Sequence, residues 1–235
     1  MDEFSVDVIH AVGQGRQKLY TVGEEIAHAL THGLGVVLAI AGLTVMVARA
    51  TLYGNAWHIV GAAIFGATLV LMYTASTLYH SIPAEHLPNT KRILRIVDHS
   101  SIYLLIAGSY TPFTLVTLNG PWGWSLFGTV WGLALVGVVF KIFATGRFEK
   151  LSLAIYLGMG WMAVVAIKPF LAVVPLDTLL WLGAGGAAYT LGTIFYMSKR
   201  DHAHAIWHGF VLMGSACHFV AVAMQVLRPS VGAVA

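Results

Sequence analysis

Two histidines stand four residues apart in His204-Ala205-Ile206-Trp207-His208, and Ser76 and His80 repeat that spacing in Ser76-Thr77-Leu78-Tyr79-His80. On an α-helix, residues i and i+4 share one face about one turn apart, so each pair can address a single point. Two imidazoles from one face can bind one ion, and a third from His80 would leave one tetrahedral position open, the catalytic kind of zinc site. A carboxylate beside a water at that position can orient it or act as general base, and Asp98, in Ile96-Val97-Asp98-His99, is the candidate. Ser76, about 6 Å deeper by helical rise, could hydrogen-bond that water or a developing oxyanion. Imidazole also suits other transition metals, so Zn²⁺ is the expectation, with iron and manganese open.

These side chains need elements to bring them together, and composition says which. Of 235 residues, 58% are hydrophobic and only 10% charged, against roughly a quarter charged in soluble domains, which places the chain in a bilayer. An α-helix needs roughly 20 apolar residues to cross the hydrocarbon. Seven such stretches are expected, at approximately 26–48, 56–80, 94–117, 121–142, 151–170, 175–197 and 203–227. Turn signals separate them: Gly54-Asn55, Pro83 to Asn89, Asn119-Gly120-Pro121, Gly146, Pro169 to Pro175, and Ser198 to His202. The expected fold is an all-α seven-transmembrane helix bundle over 21–235 with a short arm at 1–20, leaving no room for a soluble domain.

Lys and Arg set the orientation, because positive loops resist translocation. Arg16, Lys18, Lys91, Arg92, Arg95, Lys141, Arg147, Lys150, Lys199 and Arg200 fall on one side, and Arg49, Lys168 and Arg228 on the other. The expectation is a cytoplasmic N-terminus, an outside C-terminus and an inner-membrane location. Helix 2 then ends, and helices 3 and 7 begin, in the cytoplasmic leaflet, so His80, Asp98, His204 and His208 share one layer although charge alone fixed the topology. The first 20 residues hold Asp2, Glu3, Asp7, Arg16 and Lys18 and no apolar run, so a cleavable signal peptide is not expected. A net charge of +3 is too small to suggest nucleic acid, and the single Cys217 excludes an internal disulfide.

Blander roles stand beside the chemical ones. A His pair at a membrane interface can simply meet headgroups, and Asp98 can pair with Arg95 or Arg92. Glu25, His28 and His32 could form a second shell or rim to the site, with interfacial polarity the expected role for His28. His99 points about 100° from Asp98 around the helix and is left out of the metal shell. His218, roughly 15 Å beyond His208, needs only a buried polar contact. His10, His58, His86 and His202 are expected in loops or tails. Trp57, Trp122, Trp124 and Trp181 read as interfacial anchors, Pro112 as a kink in helix 3, and Gly183 to Ala188 as a close-packing stretch.

Ser76-xxx-His80, Asp98 opening the third helix and His204-xxx-His208 opening the seventh resemble the hemolysin III family of bacterial membrane proteins, within the progestin and adipoQ receptor superfamily. The likeness extends to Glu24-Glu25-Ile26-Ala27 through Thr31-His32-Gly33, and to Asp98-His99-Ser100-Ser101-Ile102-Tyr103 followed by Ala107-Gly108-Ser109-Tyr110-Thr111-Pro112. It covers the chain from about residue 20, with no departure at the five site positions. The resemblance implies a seven-helix fold with a cytoplasmic N-terminus and zinc held by His80, His204 and His208. It also implies Asp98 contacting zinc through water, with Ser76 close by. The wider group is similar to alkaline ceramidases, zinc amidases that act on lipids.

The leading expectation is therefore a zinc-dependent hydrolase of a lipid amide or ester, since only an amphiphilic substrate would readily enter a helix bundle. A non-catalytic membrane sensor or receptor-like protein with a structural zinc is the rival. A haemolysin or pore is the weakest reading, because the sequence offers no line of polar residues through the bundle.

Overall fold

The structure, a computed structural model, describes residues 20–226. The arm carrying His10, Arg16 and Lys18 and the tail carrying Arg228 lie outside the described residues. Regular structure among the described residues is all helical: α1 Val22–Tyr53, α2 Ala56–Ser81, α3 Pro88–Pro112, α4 Pro121–Ala144, α5 Glu149–Gly160, α6 Ile167–Val173, α7 Leu176–Tyr196 and α8 Ala203–Val226. Helices α1, α2, α4, α7 and α8 are each long and apolar enough to cross a membrane, and the bent α5–α6 pair makes a sixth if it counts as one span.

The outward faces are apolar, and the interior sets polar and charged groups among its hydrophobic core, unlike a soluble bundle. Ile26, Leu30, Leu34 and Val37 on α1, Val136 and Val139 on α4, and Leu180 and Ile194 on α7 are exposed. Glu24, His28, His32, Ser76, His80, Lys91, Lys141 and His208 are buried. Such an arrangement is stable only in hydrocarbon, where exposed apolar surface costs nothing and buried polar groups must pair with one another.

Local chemistry fixes the ends that matter. α1 starts earlier than the apolar run alone suggests, because Thr21 and Glu24 form a capping box: the Thr21 N–H donates to Glu24 Oε2 at 2.9 Å, and the Glu24 N–H to Thr21 Oγ1 at 3.3 Å. At the far end, Asn55 caps α2 through the N–H groups of Trp57 and His58. His58 is thus no loop histidine: it lies buried in the first turn of α2 with Nδ1 2.9 Å from Asn55 Oδ1. His86 is exposed in a turn and His202 lies in the turn before α8, as expected.

Prolines shape the middle of the bundle. Pro112 ends the regular part of α3, and Phe113–Thr117 continue as a widened π-type turn. A ring that lacks an N–H and crowds the carbonyl four residues back disrupts the ladder there. The expected single helix at 151–170 is broken: α5 and α6 are bent by 53° around a 3₁₀ turn at Met162–Val164. Pro169 has no N–H to give the Val165 carbonyl, so no unbroken helix can run through that turn and α6 starts afresh at Ile167; Tyr110 from α3 meets backbone groups exposed at the break. Its hydroxyl lies 3.0 Å from the Met159 carbonyl and 2.7 Å from that of Gly160, and accepts from the Ala163 N–H at 3.0 Å. Trp57, Trp122, Trp124 and Trp181 are all 40% exposed or more, at helix starts, as interfacial anchors would be.

Candidate metal centre

Three helix ends meet at one end of the bundle: the start of α1, the finish of α2 and the start of α8. Glu24 ties two of them, since its Oε1 accepts the His202 backbone N–H at 2.9 Å, and Glu25 ties α1 to α2 and α3. Its Oε2 lies 2.5 Å from His80 Nδ1, and its Oε1 accepts from Lys91 Nζ at 2.8 Å.

The donor nitrogens of His80, His204 and His208 all lie within 4.8 Å of one another. Their ring centroids are 5.4 Å apart for His80 and His204, 5.1 Å for His80 and His208, and 4.7 Å within the α8 pair. His80 and His208 are buried, yet His80 Nε2 and His208 Nδ1 have no hydrogen-bond partner among the described residues. A buried polar atom left unpaired costs about 1–3 kcal/mol, so a folded chain that keeps several at one point is built to receive something there. The cluster could hold a metal ion, and imidazole nitrogens fit a borderline transition-metal cation. Within the cluster, the Glu25 carboxylate on His80 Nδ1 fixes that ring so that Nε2 is the nitrogen left for a ligand.

Asp98 and Ser76 come together, but outside this set. The Ser76 hydroxyl is the hydrogen-bonding neighbour of the Asp98 carboxyl, and Ser76 is buried one turn before His80 on α2. Asp98 belongs to neither group of donors spaced closely enough to share an ion. Arg95 turns instead to Glu149, whose Oε1 it meets at 3.3 Å. His99 Nδ1 donates to the Arg95 carbonyl at 2.8 Å and stays out of the centre, as expected. His218 has the buried contact foreseen for it, with Nε2 3.3 Å from the Leu182 carbonyl.

The expectation for His28 is corrected. It is no interfacial residue: it is 0% exposed, and its ring lies 4.6 Å from that of His80, 4.8 Å from His204 and 5.1 Å from His208. The i, i+4 spacing of His28 and His32 turns both inward, and His32 stacks on His208 at 3.7 Å. Lys91 and Lys141, read in the sequence as loop charges, are buried as well. Lys141 is 0% exposed, with its Nζ 3.3 Å from Glu149 Oε2. Nothing in the local sequence marks these pairings; an acidic residue near each expected membrane boundary, Glu25 and Glu149, was the available signal.

The Haemolysin-III related family model matches residues 20–219. The chain is 50% identical over 205 residues to the Hemolysin-3 homolog of Bacillus subtilis (strain 168), covering 87% of this chain and 95% of that one. It is 46% identical over 207 residues to Hemolysin-3 of Bacillus cereus, covering 88% and 93%. Similarity reaches the human protein named Monocyte to macrophage differentiation factor, at 30% identity over 219 residues, 90% of this chain and 88% of the relative. A match that takes in α1 to most of α8, and with them every helix end that builds the histidine cluster, shows that the chain belongs to the haemolysin-III family.

Proposed function

We propose that the chain is a seven-span membrane hydrolase that uses Zn²⁺ to cleave an amide or ester of an amphiphilic lipid, with its centre near the cytoplasmic face. The observation that carries this reading is the convergence of the His80, His204 and His208 donors within 4.8 Å one helical turn from the Ser76–Asp98 pair. α3 serves as the seventh span in this reading, because two of its charges are neutralised within the bundle, Lys91 by Glu25 and Arg95 by Glu149. The excess of Lys and Arg on that side puts the N-terminus in the cytoplasm.

His80, His204 and His208 would hold the ion, which supplies Lewis acidity toward a carbonyl oxygen and toward water. Glu25 takes the Nδ1–H of His80 and keeps its Nε2 aimed at the ion. Asp98 would accept the proton of the attacking water and return it to the departing amine or alkoxide as the acyl bond breaks, and Ser76 would hydrogen-bond the oxygen that gains charge while the carbonyl is tetrahedral. The apolar outer faces of α1, α2 and α4 leave a lipid as the substrate able to arrive from the side.

A second reading has its own support: Glu25, and not Asp98, is the carboxylate in ligand range of His80, together with His28, which suits an ion that staples α1 to α2 in a sensor-like protein. Turnover separates the two. Purified, zinc-loaded protein in vesicles containing N-acyl and O-acyl lipids should release fatty acid, and Asp98→Ala should abolish release while retaining zinc. Equal release by wild type and Asp98→Ala would reject the enzymatic reading.

A further inference from the structure

A second set of donors lies against the first. Glu25, His28 and His80 also bring one ligand atom each within 4.8 Å of one another. Neither ring nitrogen of His28 has a hydrogen-bond partner, and its Nδ1 lies 3.6 Å from Glu25 Oε2, too far for a good hydrogen bond. A fully buried imidazole with both nitrogens unpaired is costly in any fold. Its place beside a carboxylate and another imidazole gives it one inexpensive partner, a cation.

The two sets share His80, and they ask opposite things of it. An ion held with His204 and His208 uses His80 Nε2 and leaves the Nδ1–H on Glu25, as the 2.5 Å contact shows. An ion held with Glu25 and His28 uses His80 Nδ1 and displaces that hydrogen bond. A neutral imidazole has one lone pair to give, so the two positions exclude each other and one ion occupies one or the other. They also differ in access. The Glu25 side chain is 25% exposed, whereas those of His28 and His80 are at 0% and 1%, so a cation arriving from water meets the carboxylate first.

We propose that Glu25, His28 and Nδ1 of His80 form a capture position for a divalent transition-metal cation, from which the ion passes across the His80 ring to the His80–His204–His208 set. The mixed nitrogen and oxygen donors suit such a cation. Lys91 Nζ stays on the other Glu25 oxygen at 2.8 Å, which weakens binding there and favours onward transfer. The inference rests on the three-histidine reading above, and the experiment separates the two.

Full-length protein in detergent is stripped of metal and titrated with Co²⁺, read by its visible absorption, and uptake is followed by stopped flow. His204→Ala/His208→Ala should bind one Co²⁺ more weakly and with a changed spectrum, and adding His28→Gln should abolish that binding. His28→Gln alone should keep the wild-type end-point spectrum while uptake slows by about tenfold or more, the scale on which losing a supporting group weakens metal sites. Glu25→Gln is run in parallel, with circular dichroism and gel filtration identifying the folded variants. Wild-type uptake in either folded variant, or a double His204/His208 variant that binds nothing while wild type binds one Co²⁺, overturns the capture position and leaves the three-histidine set standing. No Co²⁺ on wild type overturns both.

Discussion

Glu25→Gln tests the brace on His80 most directly. The substitution keeps the shape of the side chain and removes the charge that faces His80 Nδ1 at 2.5 Å and Lys91 Nζ at 2.8 Å. Two costs follow, and they can be told apart. The first is an unpaired ammonium, since the Lys91 side chain is only 4% exposed. Breaking a fully buried pair from one side costs about 3–5 kcal/mol. Glu25 reaches the rim, and the Tyr79 ring sits 4.5 Å from the ammonium, so we expect about 1–3 kcal/mol here. The second is a looser His80 ring, worth about 10- to 100-fold in metal affinity, or about 1.4–2.7 kcal/mol. Adding Lys91→Met should remove the first cost and not the second. Thermal melts with and without Zn²⁺ read stability, and competition against a chelator reads affinity. A Glu25→Gln affinity within about twofold of wild type would show that the carboxylate does not orient the ring. Recovery of affinity in the double variant would show that charge, not orientation, set the loss.

Three further outcomes follow from the same structure. In Gly35→Ala the new methyl would sit 2.5 to 2.8 Å from ring carbons of the buried Tyr73, whereas at Gly209 it meets nothing within 4 Å; the first should lower stability by about 1–3 kcal/mol in a thermal melt and the second should not, and equal melting temperatures would refute the tight α1–α2 contact. Metal affinity should fall with acidification, because imidazoles bind only when neutral, so the rise in melting temperature that added zinc gives at pH 8 should shrink as protons compete for the ligands; a pH-independent zinc effect would argue against histidine ligation. Glu149→Ala should cost about 1–3 kcal/mol by stranding Lys141 and Arg95 beside a partly exposed carboxylate, while Lys141→Met should cost less, because Glu149 keeps Arg95, the Gly146 N–H and the Tyr196 hydroxyl; reversed denaturation midpoints would refute this ordering.

What could be read in the sequence is what a single helix decides. The i, i+4 pairs at Ser76 and His80 and at His204 and His208 need only helical geometry to face one way, and both do. What could not be read depends on partners far along the chain. Glu25 meets residues 55 and 66 positions away, so neither its bond to His80 nor the burial of Lys91 leaves a local trace. His28 looked interfacial because its position near a helix start says nothing about which neighbours cover it. The break between α5 and α6 needs Tyr110 from another helix to satisfy the backbone it exposes.

These pairings also bear on the charge count that oriented the chain. Lys91, Arg95 and Lys141 are bound to Glu25 and Glu149 inside the bundle, so they act as structural counter-ions and say less about translocation. With them set aside, Arg92, Arg147, Lys150, Lys199 and Arg200 still face only Arg49 and Lys168 across the described chain. The bias therefore survives the loss of the charges that the fold itself uses. The same end of the bundle carries both this remaining positive charge and the histidine cluster, so in the proposed hydrolase an anionic headgroup held at that surface would sit beside the centre while its acyl chains remained among the apolar outer faces.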